Sequence, residues 1–317
     1  MSSTRDDLTL DVTVAICTWN RRTLLESTLE SLERMKVSPS TRWELVVIDN
    51  GSTDGTSEVV ANWISRGTLP LRYVHESVLG LSNARNRAIK EARAEWLLFT
   101  DDDVIVEPGW LEGFVQASKR HPTAGAIGGR VDPWFVENPD QMLCEAFPAL
   151  AKGFCGIDLG PEERVIPEGT DLVGANFAIR IDDTNRLFNP NLGPIGANPI
   201  GGDELGYLME LRKAGLPIVW APTMRLKHYV DPPRMSLGYL QKFYTNVGRH
   251  EVMLHGVPKG TQLAGAPRWL IGLYVRHMLR RIVNAILRNK VEEHRALRQQ
   301  WQIGGMIAQS RELSTRP

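Results

Sequence analysis

The chain has 317 residues, enough for one large α/β domain with appended helices, and its 37 basic and 37 acidic side chains cancel, which removes any charge-based reason to expect a nucleic-acid partner. Three cysteines, Cys17, Cys144 and Cys155, make no CxxC pair, arguing against a disulfide framework or a zinc site and fitting a reducing, cytoplasmic compartment. Met1 to Leu10 is polar rather than signal-like, and no run reaches the roughly 18 uncharged apolar residues of a membrane span, so a soluble or peripheral protein is expected.

Taken in chain order, Val12 to Thr18 reads as a strand, and the apolar spacing of Leu24, Leu25, Leu29 and Leu32 as a helix. The loop between them, with Thr18, Asn20 and Arg21, serves equally as a plain helix start or as a nucleotide contact through side chains and backbone amides. Glu44 to Asp49 is a buried-type strand ending in Asp49-Asn50-Gly51-Ser52-Thr53-Asp54-Gly55, with a helix from about Thr56 to Ser65. Asp49 and Asn50 either close a capped turn or accept hydrogen bonds from a base or ribose. Leu71 to His75 predicts a third strand. Ser82 to Ala92 predicts a helix with Ser82 as N-cap. Arg85 in its first turn is misplaced for the helix dipole, which points to a phosphate or an aspartate as its partner rather than to a surface salt bridge.

Trp96 to Thr100 predicts a fourth strand running into Asp101, Asp102 and Asp103. Three carboxylates at a strand end repel one another, and a hard divalent cation, Mg²⁺ or Mn²⁺, satisfies them better than a solvated acidic turn does beside two other suspicious loops. Short strands are expected at Gly125 to Val131 and Leu172 to Arg180, a helix from Asp203 to Gly215, and a short strand at Ile218 to Trp220. Asp203 and Glu204 sit at the positive end of that helix behind Gly201 and Gly202; one suits N-capping and the other general-base catalysis. His228, expected beyond that strand and its loop, would complete a mixed oxygen and nitrogen metal site with Asp103. Strands alternating with helices predict a doubly wound, mostly parallel sheet whose ligands bind beyond the strands' carboxyl ends.

With these pieces in order, residues 11 to 230 resemble a family 2 glycosyltransferase of the GT-A fold. The pieces are Val14 to Arg21, Val46 to Thr56, Gly80 to Asn86, Asp101 to Asp103 followed by Pro108-Gly109-Trp110-Leu111, Gly174-Ala175-Asn176, and Gly202-Asp203-Glu204. The resemblance implies a nucleoside-diphosphate sugar donor, a divalent metal at the DxD-type motif, and inversion by direct displacement. It implies that Asp49 contacts the base or ribose and Asp101 the ribose side of the donor. Asp103 then takes the metal, His228 the metal or diphosphate, and Arg85 helps position the nucleotide. Asp102, grouped with the donor residues, reads as a structural bystander of the cluster. The family often has Glu-Asp where this chain has Asp203-Glu204, so Glu204 inherits the role of base and Asp203 stays an alternative. The rival readings are a sugar-nucleotide nucleotidyltransferase, whose glycine-rich loop is missing from Cys17 to Arg22, and a non-catalytic binding protein of the same fold, which needs no second acidic site.

These readings assign residues 1–236 to the catalytic domain and 237–317 to a helical extension. Within the extension, Arg268 to Lys290 reads as a basic amphipathic helix. It is suited either to an anionic surface at the inner face of the membrane or to packing on the domain or a second subunit. A membrane location would fit a lipid-linked or polysaccharide acceptor.

Overall fold

The computed structural model describes residues 10–135, 141–170, 172–181, 186–190 and 203–315. It opens with four strands, β1 (Val12–Thr18), β2 (Trp43–Asp49), β3 (Leu71–His75) and β4 (Trp96–Asp101), linked by α1 (Arg22–Glu33), α2 (Thr56–Arg66) and α3 (Leu81–Glu91). Next come β5 (Val104–Val106), α4 (Trp110–Arg120), β6 (Ala126–Phe135), α5 (Gln141–Leu150), β7 (Arg164–Val165) and β8 (Asn176–Arg180). The chain continues through α6 (Asp203–Lys213), β9 (Ile218–Val230), α7 (Leu237–His255), β10 (Gln262–Leu263), β11 (Ala266–Pro267), α8 (Arg268–Ile286) and α9 (Lys290–Ser314).

The main sheet has the order β3-β2-β1-β4-β8-β6-β9-β5, with β7 pairing β9. β1 to β4 run parallel, whereas β8 runs antiparallel to β4 and β6, and β9 antiparallel to β5 and β7. β1, β2 and β4 are buried almost throughout, as parallel strands covered on both faces must be, and Val14, Ile16, Val46, Ile48, Leu98 and Phe99 belong to one core. The register sets Thr18 against Asp49 and Cys17 against Asp101, so the loops after β1, β2 and β4 leave the sheet at one level. That is the edge where the resemblance expects a donor.

Two expected features change. The strand expected at Ile218 to Trp220 runs on to Val230, so His228 lies in β9 and not beyond a loop. Pro222 and the polar residues Thr223, Arg225 and Lys227 interrupt the apolar run, yet buried and exposed residues alternate from Met224 to Val230 as one sheet face demands. Ser82 does not cap α3. The cap position is Gly80 at φ 126°, and Ser82 sits inside the helix with its hydroxyl directed to Asp203.

The chain divides into two compact units, Met1–Trp134 with Cys155–Tyr229, and Phe135–Phe154 with Val230–Pro317. The second unit therefore includes α5 as well as the tail helices, packed around Leu143, Leu150, Phe154, Leu240 and Tyr244. Within it α7 crosses α9 at two glycines. A Cβ on Gly305 would fall 1.9 Å from the Thr245 carbonyl oxygen, and one on Gly248 would fall 1.8 Å from that of Gln302. Backbone cannot swing aside as a side chain can. Gly305→Ala should therefore destabilise the protein by about 2 kcal/mol, overpacking outweighing the roughly 1 kcal/mol that Ala gains in helix propensity. Chemical denaturation checks this, and a stabilised variant would show that propensity wins.

Candidate active site

The loop after β1 is built by local bonds to the loop after β2. Asn20, at φ 53°, donates its backbone N–H to Ser52 Oγ at 2.9 Å and accepts from the Thr53 N–H at 2.7 Å. Asp54 takes up the first N–H of both α1 and α2, accepting from Arg22 N at 3.0 Å and from Thr56 N at 3.1 Å. Thr18 donates to Asp102 Oδ2 at 2.7 Å. Asn50 donates its amide to the carbonyls of Glu76 and Val78 and accepts from Gly80 N at 2.7 Å. Thr18, Asn50 and Asp102, and the backbone N–H and Oδ1 of Asn20, thus shape the loops. Asp49 is buried at the end of β2, accepting from Ser52 N at 2.9 Å and from the Tyr73 hydroxyl at 2.7 Å.

The acidic cluster is closed from two sides. Arg21 donates to Asp103 Oδ2 and lies 3.3 Å from Asp102 Oδ1. His228 Nε2 lies 3.1 Å from Asp103 Oδ1 and 3.4 Å from Asp101 Oδ2. Burial, and then the charge of Asp103, push Asp102 up to about 7. For Asp101 burial acts upward too, but the hydrogen bond and charge of His228 hold its carboxyl below the ordinary range. Burial opposes the charge on His228, yet Cys155, Asp103 and Asp101 together raise it well above a usual imidazole. The cluster is a set of buried anions held by whatever cations are in reach.

These residues fit a hard divalent cation. One ligand atom each from Asp101, Asp103 and His228 lie within 4.8 Å of one another, and buried Asp103 Oδ1, beside His228 Nε2, makes no aligned hydrogen bond. The His228 Nδ1 lies 2.9 Å from the Tyr229 carbonyl oxygen, which orients the ring with Nε2 towards the carboxylates.

The second acidic pair opens α6. Arg85, buried among Phe99, Phe177 and Phe188, donates to Asp203 Oδ2 at 2.7 Å and to Glu204 Oε2 at 3.4 Å. Its partner is therefore an aspartate, the second of the two expectations. Ser82 donates to the same Asp203 oxygen at 3.3 Å. A Cβ on Gly174 would fall 2.4 Å from Arg85 Nη2, so only glycine leaves the guanidinium its place. Asp203 is sealed, its side chain 0% exposed, whereas that of Glu204 is 29% exposed. Burial acts to raise Asp203, but the Arg85 charge outweighs it and keeps the carboxyl below the usual range. Burial and the Asp203 charge push Glu204 up to about 8. Two adjacent carboxyl groups are thus separated into one fixed anion and one group poised to exchange a proton. Gly201 and Gly202 lie outside the described residues.

Ser82, Tyr73 and Gly174 escape sequence reasoning as site residues. Gly174 is flagged only as part of a motif, and nothing local ties Ser82 or Tyr73 to acids far along the chain.

Residues 13–143 match the family model for glycosyl transferase family 2. A validoxylamine A glucosyltransferase of Streptomyces hygroscopicus is 34% identical to this chain over 142 residues, 43% of this chain and 31% of the relative. A glucosyl-dolichyl phosphate glucuronosyltransferase of Haloferax volcanii is 22% identical over 73% of both chains. The stretch shared with the Streptomyces relative is thus about a third of that protein's length. The fold is of the GT-A type. A mannosyltransferase of Pyrobaculum calidifontis, solved with GDP-Man and Mn²⁺, superposes with a TM-score of 0.61 over 95% of this chain and 87% of its own, at 18% identity.

Proposed function

We propose that the chain is an inverting glycosyltransferase that moves a sugar from a nucleoside-diphosphate donor to an acceptor hydroxyl, with Glu204 as general base. The observation that carries this reading is the pairing of two acidic centres of opposite character. Asp101, Asp103 and His228 form a cation-seeking cluster, whereas Glu204 carries a partly exposed carboxyl raised to about 8. The charge of buried Arg85 is felt by Asp203, Glu204 and Asp101 alike. Transfer of one sugar needs both an acceptor for a proton and a sink for departing negative charge.

Glu204 takes the proton from the acceptor hydroxyl as its oxygen bonds to the anomeric carbon, and the electron pair of the breaking bond leaves with the diphosphate. Asp203 stays ionised on Arg85 and Ser82, which fixes the backbone from which Glu204 reaches outward. Asp49 reads the base or ribose through lone pairs left after Ser52 and Tyr73. Arg21 holds positive charge over the cluster and faces the diphosphate. A bound Mg²⁺ or Mn²⁺ would supply charge neutralisation for the leaving group. The donor class is supported by the GDP-Man in the Pyrobaculum structure, and a lipid-linked acceptor by the name of the Haloferax relative.

Incubating the protein with UDP- and GDP-sugars tests this reading. One donor should raise the melting temperature with Mn²⁺ and release its nucleoside diphosphate slowly without acceptor. A panel giving neither stabilisation nor release overturns the proposal.

A further inference from the structure

α8 turns its apolar side chains outward. Leu270 is buried and Leu273, Tyr274 and His277 are half-buried, whereas Val275, Met278, Leu279, Ile282, Val283 and Ile286 are between 36% and 75% exposed. Those six recur at three- and four-residue steps, so they form one continuous stripe rather than scattered surface residues. Arg276, Arg280, Arg281 and Arg288 are interleaved with it and exposed. No aspartate or glutamate stands anywhere between Glu251 and Glu292, although the whole chain is electrically balanced.

We propose that this face of α8 is the contact surface for a bilayer carrying anionic phospholipid, with the stripe at the acyl boundary and the arginines among the headgroups. Charge complementarity selects this occupant. A second copy meeting the same patch about a two-fold axis would set arginines against arginines with no acid to offset them. A bilayer with phosphatidylglycerol supplies anions and an apolar layer together. Among the described residues no helix is long and apolar enough to cross a membrane, so α8 lies in the interface plane.

The test is co-sedimentation of the full chain with vesicles, read independently of any turnover. Wild type should pellet with mixed phosphatidylcholine and phosphatidylglycerol, and not with phosphatidylcholine alone. It should be released on going from ~0.1 M to ~1 M salt, where the screening length shrinks from about 10 Å to about 3 Å. Leu279→Asp with Ile282→Asp should lower the vesicle partition coefficient at least about tenfold, with unchanged circular dichroism. Arg276→Gln with Arg280→Gln should lower it about tenfold on anionic vesicles and flatten the salt dependence. Equal binding by the aspartate variant, equal binding to neutral vesicles, or no binding by wild type each overturns the proposal. A dimer in sedimentation equilibrium that the aspartate variant dissolves, with no vesicle binding, would reassign the face to a second copy.

Discussion

Replacing Glu204 by Gln is expected to lower the transfer rate by about 10³, within the 10²–10⁴ that a positioned general base contributes, while donor binding stays intact. Gln keeps the shape and cannot accept a proton. In the wild-type protein the rate should climb with pH through about 8, because the base must be ionised and burial and Asp203 resist that. The stability sign runs the other way. The folded protein holds a proton on Glu204 that the unfolded chain has lost above its ordinary value of 4.5, so this group's contribution falls as pH rises from there towards about 8. The Gln variant mimics the protonated form and should melt no lower than wild type near pH 8. Asp203→Asn is the necessary comparison. It strips buried Arg85 of its main partner and should lower stability, by an amount of the order seen when one member of a buried pair is removed, about 3–5 kcal/mol. If Asp203→Asn abolishes turnover in a protein that still folds and binds donor, while Glu204→Gln stays active, the base is Asp203.

Asp103→Asn should cost a comparable factor, on the order of 10³, by removing an anionic oxygen from the cation set and leaving the departing diphosphate without support. The readout that separates this from damage to the fold is Mn²⁺ itself. Calorimetric titration should show Mn²⁺ affinity lost in the variant, and the Mn²⁺-dependent rise in melting temperature should vanish. The metal-free variant should stay folded, since Arg21 keeps Asp102 and His228 keeps Asp101. Retained Mn²⁺ affinity with unchanged turnover would remove Asp103 from the mechanism.

Much of the frame is legible because parallel strands buried on both faces leave uninterrupted apolar runs. Leu45 to Ile48 and Leu71 to His75 end where the apolar pattern ends, and α2 stops at Gly67 in the left-handed conformation a terminal glycine favours. What resists reading is short or set by distant partners. β5 is three residues long and exists through pairing with β9 more than a hundred residues later. At the site, the two acidic clusters are visible as sequence, since like charges at a strand end and at a helix start are local facts. Their division of labour is not. Ser82 looks like a cap until Asp203 is brought to it, and nothing near Asn20 in the sequence shows that its backbone N–H and Oδ1 bond Ser52 and Thr53.

The pairing of β5 with β9 has a sharper role than joining an edge. It sets Val104 opposite His228 and Ile105 opposite Lys227, with His228 buried and Lys227 exposed. Side chains alternate between the two faces of a strand, so sliding β9 by a single residue would deliver an ammonium to the carboxylates and send the imidazole to solvent. An internal ammonium would neutralise the aspartates permanently, whereas an imidazole can lend them a proton and take it back. The phase of one ladder therefore decides whether the acidic cluster faces a permanent charge or an exchangeable one.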